Sequence, residues 1–164
     1  MRDKESGQTL IETVFVLFIL LLLILGIAEF ARAWYVKNSL NNAARVGARA
    51  GAVTPGLLAL PATPCNPTPV NAAAKAACDS LSMSPLAKIN VNVTVCLGLI
   101  DPSTGVCTTD VSAGSNPSAL DAGDTVTVRV NSHYAAGVST FKILSPWLTT
   151  LYDLSSQASM RYEL

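Results

Sequence analysis

The feature that most constrains this chain is its N-terminus, where a short charged leader precedes a long uncharged run. The leader ends in Ser6-Gly7-Gln8-Thr9-Leu10-Ile11-Glu12, and no charged residue occurs in the sixteen positions from Thr13 to Ala28. As a helix those positions would extend roughly 24 Å, which is shorter than a hydrocarbon core of about 30 Å. If Glu12 is neutralised, the apolar stretch extends back to Gln8 and becomes long enough. A carboxylate at the edge of a membrane helix is costly, so Glu12 needs a functional explanation.

Three interpretations of this segment are open. An ordinary secretory signal peptide is one, since Ala31-Arg32-Ala33 fits the small-x-small cleavage pattern, but its apolar region is longer than usual. A plain membrane anchor is the second. The third is a pilin-type signal, in which a glycine precedes a cut and a glutamate follows it at a fixed distance. We favour the third interpretation because it alone accounts for both Gly7 and Glu12.

Composition limits the classes of function. The chain has 164 residues, no formal net charge and only 13% charged residues, so it has no basic field that would attract nucleic acid. The one histidine, His133, and the scattered aspartates form no catalytic pattern and no metal-binding pattern. We therefore expect neither an enzyme nor a cofactor or metal site.

Four cysteines follow the apolar run, namely Cys65, Cys78, Cys96 and Cys107. An even number of cysteines outside a membrane segment is typical of disulfides formed in an oxidising compartment. The sequence-local pairing among the three connectivities is Cys65–Cys78 with Cys96–Cys107. The cysteines also favour a cytoplasmic N-terminus, with the larger part of the chain outside the membrane, although the lysines and arginines that flank the run do not favour that orientation.

A single helix is expected from residue 8 to residue 54, with its membrane part at about 10–31. No proline interrupts it, and Pro55-Gly56 ends it. Small apolar residues recur along its second half at three- and four-residue spacing, with Gly47 and Gly51 four apart. Such a face suits close helix packing in a membrane, or packing against a soluble domain.

Beyond the helix the sequence predicts an α+β domain. Residues 55–87 form a linker that is irregular up to Pro69 and then contains a short helix at 71–81. Residues 88–164 form a β-rich domain with three alternating strands, near 89–95, 124–131 and 155–164, and a short helix near Pro146-Trp147-Leu148. The strands predict a small antiparallel sheet whose apolar face is covered by the projecting half of the long helix.

Five segments of the chain resemble TadE-like proteins of the tight-adherence (Tad/Flp) pilus systems, a branch of the type IV filament superfamily. The segment from Asn42 to Ala50 is the most specific. Relative to a minimal member, the loop that carries Cys96 and Cys107 is long. The five segments are Gly7 to Glu12, Gly26 to Arg32, Asn42 to Ala50, Gly123 to Val128 and Ala158 to Glu163.

The resemblance implies a pseudopilin or minor pilin that inserts in the bacterial inner membrane. Residues 1–7 would be a leader that a prepilin peptidase removes, with Gly7 required before the cut and Gln8 as the new N-terminus. Glu12 would pair with the amino terminus of a neighbouring subunit. The partners implied are other pilin subunits, the peptidase and the membrane, with a place in a cell-surface filament. The alternative is a single-pass anchored module whose extracytoplasmic domain binds a ligand or an adhesion target.

Overall fold

The computed structural model describes residues 5–57, 59–66, 69–82, 91–101, 104, 107, 124–135 and 151–161. The chain divides into two compact units, and the division lies between Trp34 and Tyr35. The first unit is helical and exposes its large apolar side chains. The second unit contains the remainder of that helix, a short helix and a sheet.

Helix α1 extends from Glu5 to Ala52. It is rich in leucine and alanine, both strong helix formers, and contains no proline. The helix ends where the Thr54 amide donates to the Gly51 carbonyl, ahead of Pro55. Its start lies three residues before the start expected at residue 8, so the last residues of the expected leader are part of the helix.

The second unit is built on one four-stranded antiparallel sheet with strand order β1-β2-β3-β4. Valine alternates with polar residues in β2 and β3, and the valines of both strands are buried. The opposite face of β2 is also largely buried, at Thr94 and Cys96. Helix α2, Ala72–Leu81, lies between β1 and β2 in the chain. The strands are β1 at Leu60–Pro64, β2 at Val91–Leu97, β3 at Thr125–Ala135 and β4 at Leu151–Arg161. The predicted α+β class, with a long N-terminal helix and a small antiparallel sheet, is confirmed.

Two expectations about the sheet were wrong in detail. Strand β1 lies inside the segment that the sequence predicts to be irregular. It could not be predicted as a strand because its proline content is typical of a loop. Proline is tolerated there because β1 is an edge strand with a register shift against β2. Strand β4 begins at Leu151, several residues earlier than expected, and pairs with β3 along its whole length. The helix expected near Pro146 lies outside the described residues.

The core of the second unit lies between the two helices and one face of the sheet. From α1 the core takes the face predicted from residue spacing, which includes Val36, Leu40 and Ala44. From β3 it takes Val126, Val128 and Val130, all fully buried. The small residues of α1 therefore pack against this domain, which is one of the two roles that their spacing allows.

Candidate functional site

The predicted processing and assembly residues lie together in the first turns of α1. Gly7, Gln8 and Glu12 are all within its helical backbone, which begins at Glu5. Gln8 and Glu12 are four positions apart, so they lie one helical turn from each other on the same side of the helix. The continuous helix therefore provides the spacing that the predicted pairing needs. The roles of these three residues remain predictions.

The neighbours of Glu12 on the helix surface are apolar side chains. The shallow groove around it is lined by Ile11, Phe15 and Val16, all of which are exposed. The nearby hydroxyl of Thr13 donates to the Thr9 carbonyl at 2.8 Å, so it is satisfied within the helix. In the described part of the chain Glu12 takes part in no ion pair. A carboxylate in such a place is suited to an ionic partner supplied from elsewhere.

A second acidic residue, Glu29, lies at the other end of the apolar run. Its Oε1 accepts a hydrogen bond from Nη1 of Arg32 at 3.3 Å, an ion pair across one turn of helix. The rings of Phe30 and Trp34 stack nearby, with centroids 6.1 Å apart. Sequence reasoning gave Glu29 no separate role, although the three-residue spacing of acid and base was a signal for this pair.

The four cysteines form two bonded pairs in the second unit. Cys65 joins Cys78 with a Cα–Cα distance of 5.5 Å, and Cys96 joins Cys107 at 5.8 Å. These are the pairs that the sequence predicts. The first bond links the segment after β1 to α2, and the second closes the segment that leaves β2. Both cross-links fit an oxidising compartment.

The second unit also has a small polar cleft that sequence reasoning missed. Lys37 of α1 donates to the Ser155 carbonyl, and the Ser156 hydroxyl bonds the Asn41 side chain at 2.9 Å. Arg129 lies on the same cleft and donates to Asn131. No local signal could reveal this cleft, because its residues come together only when α1 packs beside β3 and β4. It is lined by Lys37, Asn41, Arg129, Ser155, Ser156 and Gln157.

One helix among the described residues, within Thr9–Ala52, is long and apolar enough to cross a membrane by length and composition. The family model of TadE-like proteins matches residues 7–49, which lie within α1. No curated protein and no solved structure matches the chain. The match includes the Gly7-to-Glu12 segment, the apolar run and most of the small-residue face. The predicted resemblance is thus confirmed over residues 7–49, where the chain is similar to TadE-like proteins.

Proposed function

We propose that this chain is a pseudopilin or minor pilin that inserts in the inner membrane and takes part in the assembly of a Tad-type pilus. The observation that carries the proposal is the family match at residues 7–49, which includes Gly7, Gln8 and Glu12. The exposed apolar part of α1 supports a membrane anchor. The two disulfides support an extracytoplasmic second unit, which implies a cytoplasmic N-terminus.

In this proposal a prepilin peptidase cuts between Gly7 and Gln8, so Gln8 acquires a free ammonium. An opposite charge within about 4–6 Å keeps a carboxylate ionised, and this offsets the cost of holding Glu12 in a membrane. The ammonium can come from the same chain or from an adjacent subunit. The intermolecular pair sets the axial register of packed helices, because only one stagger brings the two charges together.

The cleavage site gives the first prediction. Co-expression with a prepilin peptidase should yield a mature chain that begins at Gln8, measured by N-terminal sequencing and intact mass. Gly7→Leu should abolish the cut, whereas Gly26→Leu should leave it unchanged, because Gly26 lies far along the same helix. A mature chain that begins at Trp34 would instead indicate an ordinary signal peptide. A chain that still begins at Met1 beside active peptidase would contradict the proposal.

Glu12 gives the second prediction. Glu12→Ala should leave membrane insertion and folding intact but abolish assembly, because it removes the carboxylate that sets the register. The measurements are the amount of the variant in the membrane and its co-assembly with the other pilins. They are made in cells that express the rest of the pilus-assembly machinery. Thr13→Ala is the matched control, since the Thr13 hydroxyl is satisfied within its own helix. Normal filament formation by the Glu12→Ala variant would contradict this mechanism.

The polar cleft favours a second candidate, an anchored module whose outer domain binds a ligand. Lys37 and Arg129 place two cations beside hydroxyl and amide groups, which suits an anionic ligand. This candidate needs neither Gly7 nor Glu12. It would take precedence if Glu12→Ala formed normal filaments.

A further inference from the structure

Strand β4 forms one edge of the sheet, and among the described residues no strand pairs with its outer side. The register shows which of its backbone groups point outward. Thr125 of β3 lies opposite Arg161, and the Thr125 carbonyl accepts a hydrogen bond from the Gly98 amide on the β2 side. In an antiparallel ladder, pairs that turn their polar groups away from each other alternate with pairs that bond. Arg161, and with it every second residue back to Asp153, therefore directs its N–H and C=O groups out of the sheet.

This outer edge has the features of a surface to which another strand can add. Strand β4 is eleven residues long, contains no proline and carries no charged side chain at positions 154–160. Gln157 at its middle is exposed, and the polar cleft leaves open space beside the strand from Ser155 to Gln157. Long edges of this kind pair readily with another chain. The opposite edge is less suited to pairing, because β1 has five residues and two of them are prolines without an N–H.

Lys37 of α1 occupies the middle of the β4 edge. Its ammonium donates to the Ser155 carbonyl, which is one of the outward-directed groups. A strand added at this edge needs the same carbonyl as an acceptor and must displace the ammonium. A charge-assisted hydrogen bond is roughly twice as strong as a neutral one, so this displacement opposes pairing. We propose that Lys37 prevents a second copy of this chain from adding a strand to the outer edge of β4. The inference does not rest on the proposed pilus role.

A second copy fits this edge because β4 is complementary to itself in charge. In an antiparallel pair centred on Gln157, Asp153 of each copy lies opposite Arg161 of the other, and opposite charges at such positions attract. Ser155 lies opposite Ser159 in the same register. All of these residues direct their backbone groups outward, so each pair forms hydrogen bonds between the two copies. The Ser159 amide then donates to the carbonyl that the ammonium of α1 holds in the single chain.

The test is the oligomeric state of the full chain in detergent micelles, measured by light scattering after size exclusion, with infrared spectroscopy to detect intermolecular β-sheet. Lys37→Ala should strengthen association about tenfold, because strand addition no longer displaces a charged hydrogen bond. Lys37→Arg should stay at the native level, since a guanidinium also donates to a carbonyl. Lys75→Ala is the matched control, because it removes an exposed lysine from the other helix.

A second substitution locates the association at β4. Gln157→Lys added to Lys37→Ala should return association to the native level, because the register places the two new cations directly opposite each other. Gln157→Pro should do the same, because it removes an outward N–H that β3 does not use. Far-UV circular dichroism checks that each variant keeps its fold. Equal association of the native chain and Lys37→Ala would overturn the proposal, as would association of Lys37→Ala that both Gln157 substitutions leave unchanged.

Discussion

At the scale of single residues, two glycines determine how closely α1 approaches the rest of the second unit. A Cβ on Gly47 would lie 2.9 Å from the Ala73 carbonyl oxygen and 2.9 Å from the Ala77 Cβ. A Cβ on Gly51 would lie 2.9 Å from a methyl group of Val126. The contacts at Gly47 involve a backbone atom and a Cβ, neither of which can rotate away. Gly47 is therefore needed for α1 to contact α2.

Gly47→Ala should destabilise the second unit. Overpacking of this kind costs about 1–3 kcal/mol, while alanine regains up to about 1 kcal/mol of helix propensity. We expect a net loss in the free energy of unfolding, measured by urea denaturation followed by circular dichroism in detergent. Gly26→Ala makes the same chemical change in the same helix with no atom within 4 Å. Equal stability of the two variants would contradict this account of the contact.

At the scale of secondary structure, α2 depends on its cap and on its small residues. The Asn71 side chain accepts hydrogen bonds from the amides of Ala73 at 3.0 Å and Ala74 at 3.2 Å. Asn71 thereby satisfies two of the first four amides, which have no partner within the helix. At ten residues α2 is too short to be stable alone in water, so it relies on this cap and on its buried alanines.

Asn71→Ala should lower the free energy of unfolding by about 1 kcal/mol, because it leaves two amides of the first turn without their acceptor. Asn71→Asp should retain most of the stability, since a carboxylate accepts the same hydrogen bonds. Asn38→Ala, at an exposed position of α1, is the control for the loss of an asparagine. The measurement is chemical denaturation at neutral pH. A loss in Asn71→Asp as large as that in Asn71→Ala would argue against capping.

At the scale of the whole molecule, two disulfides cross-link the second unit. Cys65–Cys78 ties the chain after an edge strand to α2, across a sequence separation of 13. Cys96–Cys107 closes a segment with a separation of 11 beside the neighbouring strand. Each bond restricts the unfolded chain and so stabilises the folded unit.

Removing either disulfide by paired cysteine-to-alanine substitution should lower the free energy of unfolding by about 3 kcal/mol, because the two loops are of similar length. Peptide mapping without reductant should recover Cys65 with Cys78 and Cys96 with Cys107. A peptide that links Cys65 to Cys96 or Cys107 would contradict the pairing. Thermal unfolding with and without reductant gives the combined effect of both bonds.

The sequence by itself determined the features that depend on local periodicity. Helix α1 could be predicted because its 48 residues contain no proline and its second half has small apolar residues at helical spacing. Strands β2 and β3 could be predicted because valine alternates with polar residues. Three of the five segments that carry the resemblance to TadE-like proteins lie within α1, and the family model matches residues 7–49 of this helix. The pairing Cys65–Cys78 with Cys96–Cys107 was reached from closeness in sequence alone.

Only the tertiary structure decided the features that join distant segments. Strand β1 has no local signal, because its prolines suggest a loop until the edge of β2 offers it a partner. The cleft needs Lys37 of α1 beside Ser155 of β4, which are 118 positions apart. The need for glycine at position 47 is visible only once α2 lies against α1. In each case the deciding interaction is a contact between elements, and no spacing within one segment encodes such a contact.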